Sequence, residues 1–192
     1  PLEFSSDGQT SEEELDYFRF FNIDFEDRLE GLSHHFGSIQ SSGYDIVAHY
    51  YELADAEGSC FIVHGYYDHS GLYGQIIEYC LKRKMSVVIF DLPGHGLSTG
   101  EPASINSFSE YQTVLSDVVG KLSKAAPKPW YAVGQSTGGA ILMDFMLSAR
   151  EPVFAKTVLL APLLRPTRWP VLSLAHSVVS LITPHLSRRL VT

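Results

Sequence analysis

Ser136 stands in Gly134-Gln135-Ser136-Thr137-Gly138, a spacing that can hold a hydroxyl at the crest of a sharp strand-to-helix turn. The string alone is weak evidence; its setting gives it weight. It directly follows the apolar run Trp130–Val133 and directly precedes a helix-like stretch that begins near Gly138. Glycines suit these places because a Cβ two residues either side of the serine would strike the neighbouring strand and helix. The plainer alternative is a helix N-terminus that happens to carry a serine cap. A serine becomes a nucleophile only with a base for its proton and donors for the oxyanion that follows attack. In such a turn, one donor is the N–H after the serine, here Thr137, and the other comes from the loop after an earlier strand. That loop is His64-Gly65-Tyr66-Tyr67-Asp68-His69-Ser70-Gly71, and the Tyr66 N–H is the expected second donor. His64, Asp68 and His69 could instead bind a metal, but no fourth ligand at helical or hairpin spacing stands nearby. A second loop, Asp91–Ser98, follows the next apolar run, where ligand crevices form in open sheets. His95 within it is expected to hold the loop by hydrogen bonds, with a role as base the alternative.

These groups need a scaffold, and the apolar pattern supplies one. Cys60–Val63, Val87–Phe90, Trp130–Val133 and Thr157–Leu160 are short continuous apolar runs, as in strands buried on both faces of a parallel sheet. Helix-length stretches at 71–84, 107–125 and 138–149 separate or follow them. Ser107 is a candidate cap for the second, with Glu110 three residues on. Upstream, residues 35–42 and 44–53 read as a hairpin turned at Ser42-Gly43. Residues 11–30 read as a helix opened by Ser11 and Glu14 in a capping box. Repeated β-α units after an antiparallel start predict a doubly wound α/β sheet.

The chain has 192 residues, 45% hydrophobic and 19% charged, with a formal net charge of −8. That composition describes a globular domain with a core and excludes general disorder. Residues 1–30 hold ten acids against Arg19 and Arg28, so this segment carries the entire net charge. An acidic start and the lack of any basic stripe argue against nucleic-acid binding. After Glu151 there are bases but no acids. That basic, apolar tail is compatible with contact with an anionic lipid surface, or with an ordinary amphipathic helix pair flanking a core. Cys60 and Cys80 cannot build a disulfide framework. No apolar run reaches the length of a membrane span, and no leader is visible.

Three linked motifs, Val63-His64-Gly65 with His69-Ser70-Gly71-Leu72-Tyr73, Asp91–Ser98 and Gly134–Gly139, together resemble the α/β-hydrolase fold family. More narrowly, they resemble its lysophospholipase and monoacylglycerol-lipase-like branch, which includes serine peptidases. The resemblance runs from about residue 35 to residue 163. It implies a mostly parallel doubly wound sheet with an antiparallel N-terminal hairpin. Its divisions are an acidic helical segment over 1–34, a hydrolase core over 35–163, and the start of a helical cap over 164–192.

By the same resemblance Ser136 is the nucleophile, the Tyr66 and Thr137 amides form the oxyanion hole, and His64, Gly65 and Gln135 touch substrate. The implied reaction is cleavage of lysophospholipid or monoacylglycerol through an acyl-enzyme, without cofactor or metal. The implied setting is the cytoplasm, with peripheral membrane contact through the cap. The fold's order of nucleophile, acid and histidine is not met after Ser136. Asp144 and Glu151 fall in the following helix, and His176 and His185 in the apolar stretch taken for the cap. The chain, starting at Pro1, is therefore expected to be part of a longer enzyme and inactive alone. Alternatives are a peptidase or small-ester hydrolase of this fold, or a non-catalytic binding protein. Dinucleotide binding is weaker still, since no G-x-G-x-x-G follows the first parallel strand.

Overall fold

In the computed structural model, residues 10–164 are described. Their order is α1 (Glu12–Phe20), β1 (Leu32–Ser41), β2 (Tyr44–Leu53), β3 (Gly58–Val63), a 3-10 turn (Ser70–Tyr73), α2 (Gly74–Leu81), β4 (Met85–Phe90), α3 (Phe108–Leu122), β5 (Trp130–Gln135), α4 (Thr137–Ser148) and β6 (Lys156–Leu160). Among these residues one sheet has the order β1-β2-β4-β3-β5-β6. β1 and β2, and β2 and β4, are antiparallel; the remaining pairs are parallel. The hairpin turn puts both Ser42 and Gly43 at positive φ, 50° and 83°, which matches the right-handed twist of its strands.

The apolar runs of β3 and β4 are continuous because both of their faces are covered. Phe61, Val63, Val88 and Phe90 pack with α3 and α4 on one side, and Cys60, Ile62, Val87 and Ile89 pack with α1 and α2 on the other. β2 follows the same rule, sending Ile46, Ala48 and Tyr50 to the first layer and Tyr51 and Leu53 to the second.

Two predicted helices are shorter than expected. The capping box of Ser11 and Glu14 is formed, but α1 ends at Phe20 rather than residue 30. Asn22 takes φ 56°, a left-handed conformation that stops helices, and Arg28 bonds the Asn22 carbonyl from beyond the break. The apolar residues that suggested a longer helix, Ile23 and Phe25, are buried from an irregular segment. The stretch 71–84 divides into the 3-10 turn and α2, and Lys84 at φ 57° separates it from β4. Ser107 does cap α3, through Ser109 N–H. Glu110 accepts from the Tyr44 hydroxyl at 2.9 Å and so ties α3 to the hairpin.

α1 is stitched to the sheet by rings. Phe18 is buried against His34, Phe36 and His49, with centroids 4.6, 5.1 and 5.7 Å away. His34 and His49 share a hydrogen bond of 3.0 Å between Nε2 and Nδ1. Burial pushes the His34 imidazole down to about 3, and His49 well below its usual value.

Candidate active site

The site lies where the loops after β3, β4 and β5 meet. Ser136 has φ 49° and ψ −112°, outside the regions open to ordinary L-residues. Its N–H donates to Leu160 O of β6, and its carbonyl accepts from Ala140 and Leu163 N–H. Its side chain makes no capping bond to α4, so the serine-cap alternative fails. The glycines are required on steric grounds. A Cβ at Gly138 would sit 2.1 Å from Val63 O, and one at Gly134 would sit 2.6 Å from Leu142 Cδ1. α4 therefore packs against β3 and β5 only because these positions lack side chains.

The loop after β3 presses against this elbow. A Cβ at Gly65 would stand 3.5 Å from Ser136 Cβ and 2.9 Å from Asp68 Oδ2. The Asp68 N–H bonds Gly65 O, closing a turn whose third residue, Tyr67, has φ 61°. The Tyr66 N–H donates to no acceptor among the described residues. Thr137 opens α4, so its N–H is one of the helix's orphan donors. The Tyr66 side chain is anchored by donating to Ala103 O at 2.6 Å and stands edge-on to His95.

The residues expected to touch substrate divide into different roles. His64 is 0% exposed. Its Nδ1 pairs with Gly65 O at 2.7 Å and its Nε2 accepts Leu92 N–H at 2.9 Å. Nδ1 therefore carries the proton, and no ring nitrogen remains for a substrate or metal. Burial outweighs the Gly65 bond and lowers the His64 imidazole to about 4. Its side chain ties the β3 loop to the β4 loop. Gln135 points its amide oxygen at the Tyr73 hydroxyl, which also meets Asp68 Oδ2 at 3.0 Å and accepts Gly65 N–H at 3.1 Å. One phenolic proton faces two acceptors, so Asp68 and Gln135 compete for it. Gly65 borders Ser136 as described above.

Asp91 and Tyr73 are the supporting residues that motif reading missed. Asp91 is fully buried, and its carboxylate accepts Ser70 N–H at 2.7 Å and Leu97 N–H at 2.8 Å. It thus joins the same two loops as His64. An acid placed directly after an apolar strand and before Pro93-Gly94 was the available signal. Asp91→Asn would turn one acceptor into an N–H donor facing another donor. The expected cost is about 2 kcal/mol of unfolding free energy, measurable by urea denaturation; a loss below about 0.5 kcal/mol would contradict this role.

His95 holds its loop through Nδ1 and Pro93 O, while its buried Nε2 has no partner among the described residues. His69 accepts Gly71 N–H and lies 3.3 Å from the Tyr17 hydroxyl, with Phe21 of the α1 terminus stacked edge-on at 4.7 Å. Asp144 lies in α4 and Glu151 beyond its end. His176, His185 and the apolar stretch read as a cap lie outside the described residues. Among the described residues no helix is long and apolar enough to cross a membrane.

The sequence profile of the family described as serine aminopeptidase, S33, matches residues 54–191. A monoglyceride lipase homolog of Monkeypox virus is 32% identical over 130 residues, covering 66% of this chain and 46% of its own length. Human monoglyceride lipase is 32% identical over 134 residues, covering 66% and 43% respectively. Phospholipase YtpA of Bacillus subtilis (strain 168) is 30% identical over 103 residues, covering 54% and 39%. The chain thus spans less than half the length of these curated relatives. Among solved structures, the α/β hydrolase GrgF from Penicillium sp. sh18 superposes with TM-score 0.68 at 16% identity, over 80% of this chain and 54% of that one. A Paleococcus ferrophilus monoacylglycerol lipase gives 0.55 at 24% identity, over 80% and 52%. These two likenesses are of fold, and the fold is that of the α/β hydrolases.

Proposed function

This chain belongs to the serine aminopeptidase S33 family, and on that premise we propose that the protein is a serine hydrolase cleaving carboxylic esters of lipids, lysophospholipid or monoacylglycerol. The observation that carries the reading is Ser136 at φ 49° between two sterically required glycines, with a side chain that does not cap its own helix. Strain of this kind is kept where it serves chemistry. The names of the monoglyceride lipase and phospholipase relatives favour a lipid ester.

Ser136 Oγ attacks the ester carbonyl carbon and passes its proton to a base outside the described residues. The Tyr66 and Thr137 N–H groups hold the oxyanion. Collapse expels the alcohol, which takes the proton, and leaves the acyl group on Ser136. Water then attacks the acyl-enzyme with the same base and releases the fatty acid. His64, Asp91 and Tyr73 act as positioning residues for the donor loop. The reading includes a cytoplasmic setting with peripheral contact at a membrane surface.

The test is labelling of the full-length protein with a serine-directed fluorophosphonate, with turnover of monoacylglycerol, lysophospholipid and an aminoacyl amide measured alongside. Ser136→Ala is expected to abolish labelling and lower ester turnover at least ~10^3-fold. Labelling that survives in Ser136→Ala would overturn the assignment. The family's description favours a second reading, a peptidase, and faster cleavage of the amide would select it.

A further inference from the structure

Tyr67 occupies a position that its residue type does not suit. The turn Gly65–Asp68 closes with the Asp68 N–H on Gly65 O, and Tyr67 is its third residue at φ 61° while Tyr66 is not at positive φ. That is the arrangement in which a turn reserves the third position for glycine or asparagine. A bulky side chain there is a backbone outlier. Burial does not offset the strain, because Tyr67 is 70% exposed among the described residues.

The ring is nevertheless held in place. It stands edge-on to Tyr66, with ring centroids 4.4 Å apart. Tyr66 is itself pinned by its bond to Ala103 O and by its contact with His95. One face of the Tyr67 ring is thus rigid, open and two residues from Gly65, which borders Ser136. A rigid aromatic that is strained at its backbone and free of core packing fits a surface waiting for a ligand.

We propose that Tyr67 is a specificity-determining residue whose ring forms a platform for the apolar chain of the substrate beside Ser136. Leu72 in the 3-10 turn that follows and Leu97 in the loop after β4 are exposed as well. The proposal rests on the ester-hydrolase reading of Ser136, so its test separates the two.

In the full-length protein, kcat/KM is measured for p-nitrophenyl dodecanoate and p-nitrophenyl acetate, and their ratio is compared among variants. Loss of a ring that covers two or three methylenes predicts a roughly tenfold fall in the ratio for Tyr67→Gly. Tyr67→Phe, which keeps the ring, restores the ratio. Glycine also relieves the turn, so the melting temperature of Tyr67→Gly holds or rises. Dodecanoate binding is measured in parallel in a Ser136→Ala background, where Tyr67→Gly is expected to raise Kd about tenfold. An unchanged Kd, or a melting temperature lower by about 5 °C or more, overturns the proposal whatever the activity. Acetate hydrolysis that persists in Ser136→Ala overturns the ester-hydrolase reading instead, and the Kd comparison still decides the platform.

Discussion

Lowering the pH from 7 to 5.5 is expected to cost the fold about 3 kcal/mol. His49 and His64 are fully buried, and burial lowers both imidazoles, His64 to about 4. His34 is partly buried and lowered to about 3. Each remains neutral in the folded chain at pH 5.5, whereas the same side chains in the unfolded chain take up protons below about 6.5. The unfolded state therefore binds more protons as the pH falls, and stability drops with it. The contribution is fully present above about pH 6.5 and is lost progressively toward the folded values. Two fully buried histidines and a fraction of a third give a slope of about 3 kcal/mol per pH unit. A domain holds only ~5–15 kcal/mol in total, so the effect decides whether the chain is folded in mild acid. Urea denaturation at half-unit steps from pH 7.5 to 5 measures it directly. A midpoint that stays level between pH 7 and 5.5 would contradict the neutral, buried state of these rings.

Gly138→Ala is expected to destabilise the fold by about 3 kcal/mol and to slow Ser136 labelling about 100-fold. Taken alone, the change favours a helix, since alanine exceeds glycine by about 1 kcal/mol in a helix interior. Space reverses the sign. The new Cβ would lie 2.1 Å from Val63 O and 2.5 Å from His64 O, and these are backbone atoms at the end of a central strand that cannot turn aside. Relief requires α4 to move away from β3, carrying Ser136 and Thr137 away from Gly65 and Tyr66. Gly120→Ala in α3 is the control, because nothing lies within 4 Å of its Cβ; there the same substitution is expected to stabilise by about 1 kcal/mol. Should the two variants change stability in the same direction, the close approach of α4 to β3 would not be what fixes Gly138.

Strands and the elbow were legible in the sequence because their causes are local. Four apolar runs became β3, β4, β5 and β6; β3 and β4 are covered on both faces, where a strand needs apolar residues without interruption, whereas Val158 and Leu160 of β6 are exposed among the described residues. The elbow was legible because glycines flank a serine between a strand and a helix. The length of α1 was not, because Ile23 and Phe25 imitate a helical period while packing from an irregular segment. Glu110 looked like half of a capping box, yet it is drawn to Tyr44, far away in sequence. The bonds of His64 were hidden for the same reason. A histidine in a loop beside the candidate site suggests ligand contact, and only the fold reveals that Leu92 N–H and Gly65 O occupy its nitrogens. Asp91 depends likewise on Ser70 and Leu97, which no spacing along the chain brings together.

The strand order also has a consequence for how the chain is made. β3 lies between β4 and β5, and both follow it in sequence. When β3 leaves the ribosome, neither of its neighbours exists, and its run of Cys60, Phe61, Ile62 and Val63 has no edge to join. β1 and β2, by contrast, are joined by a two-residue turn and pair as soon as both are out. β4 then does two jobs at once, taking β2 along one edge and β3 along the other. Until it emerges, the hairpin and the strand that leads into the candidate active site share no ladder. Pairing across such sequence separation is slow compared with hairpin closure. A strand that ends up buried along its whole length therefore waits for its cover, and β4 ends that wait.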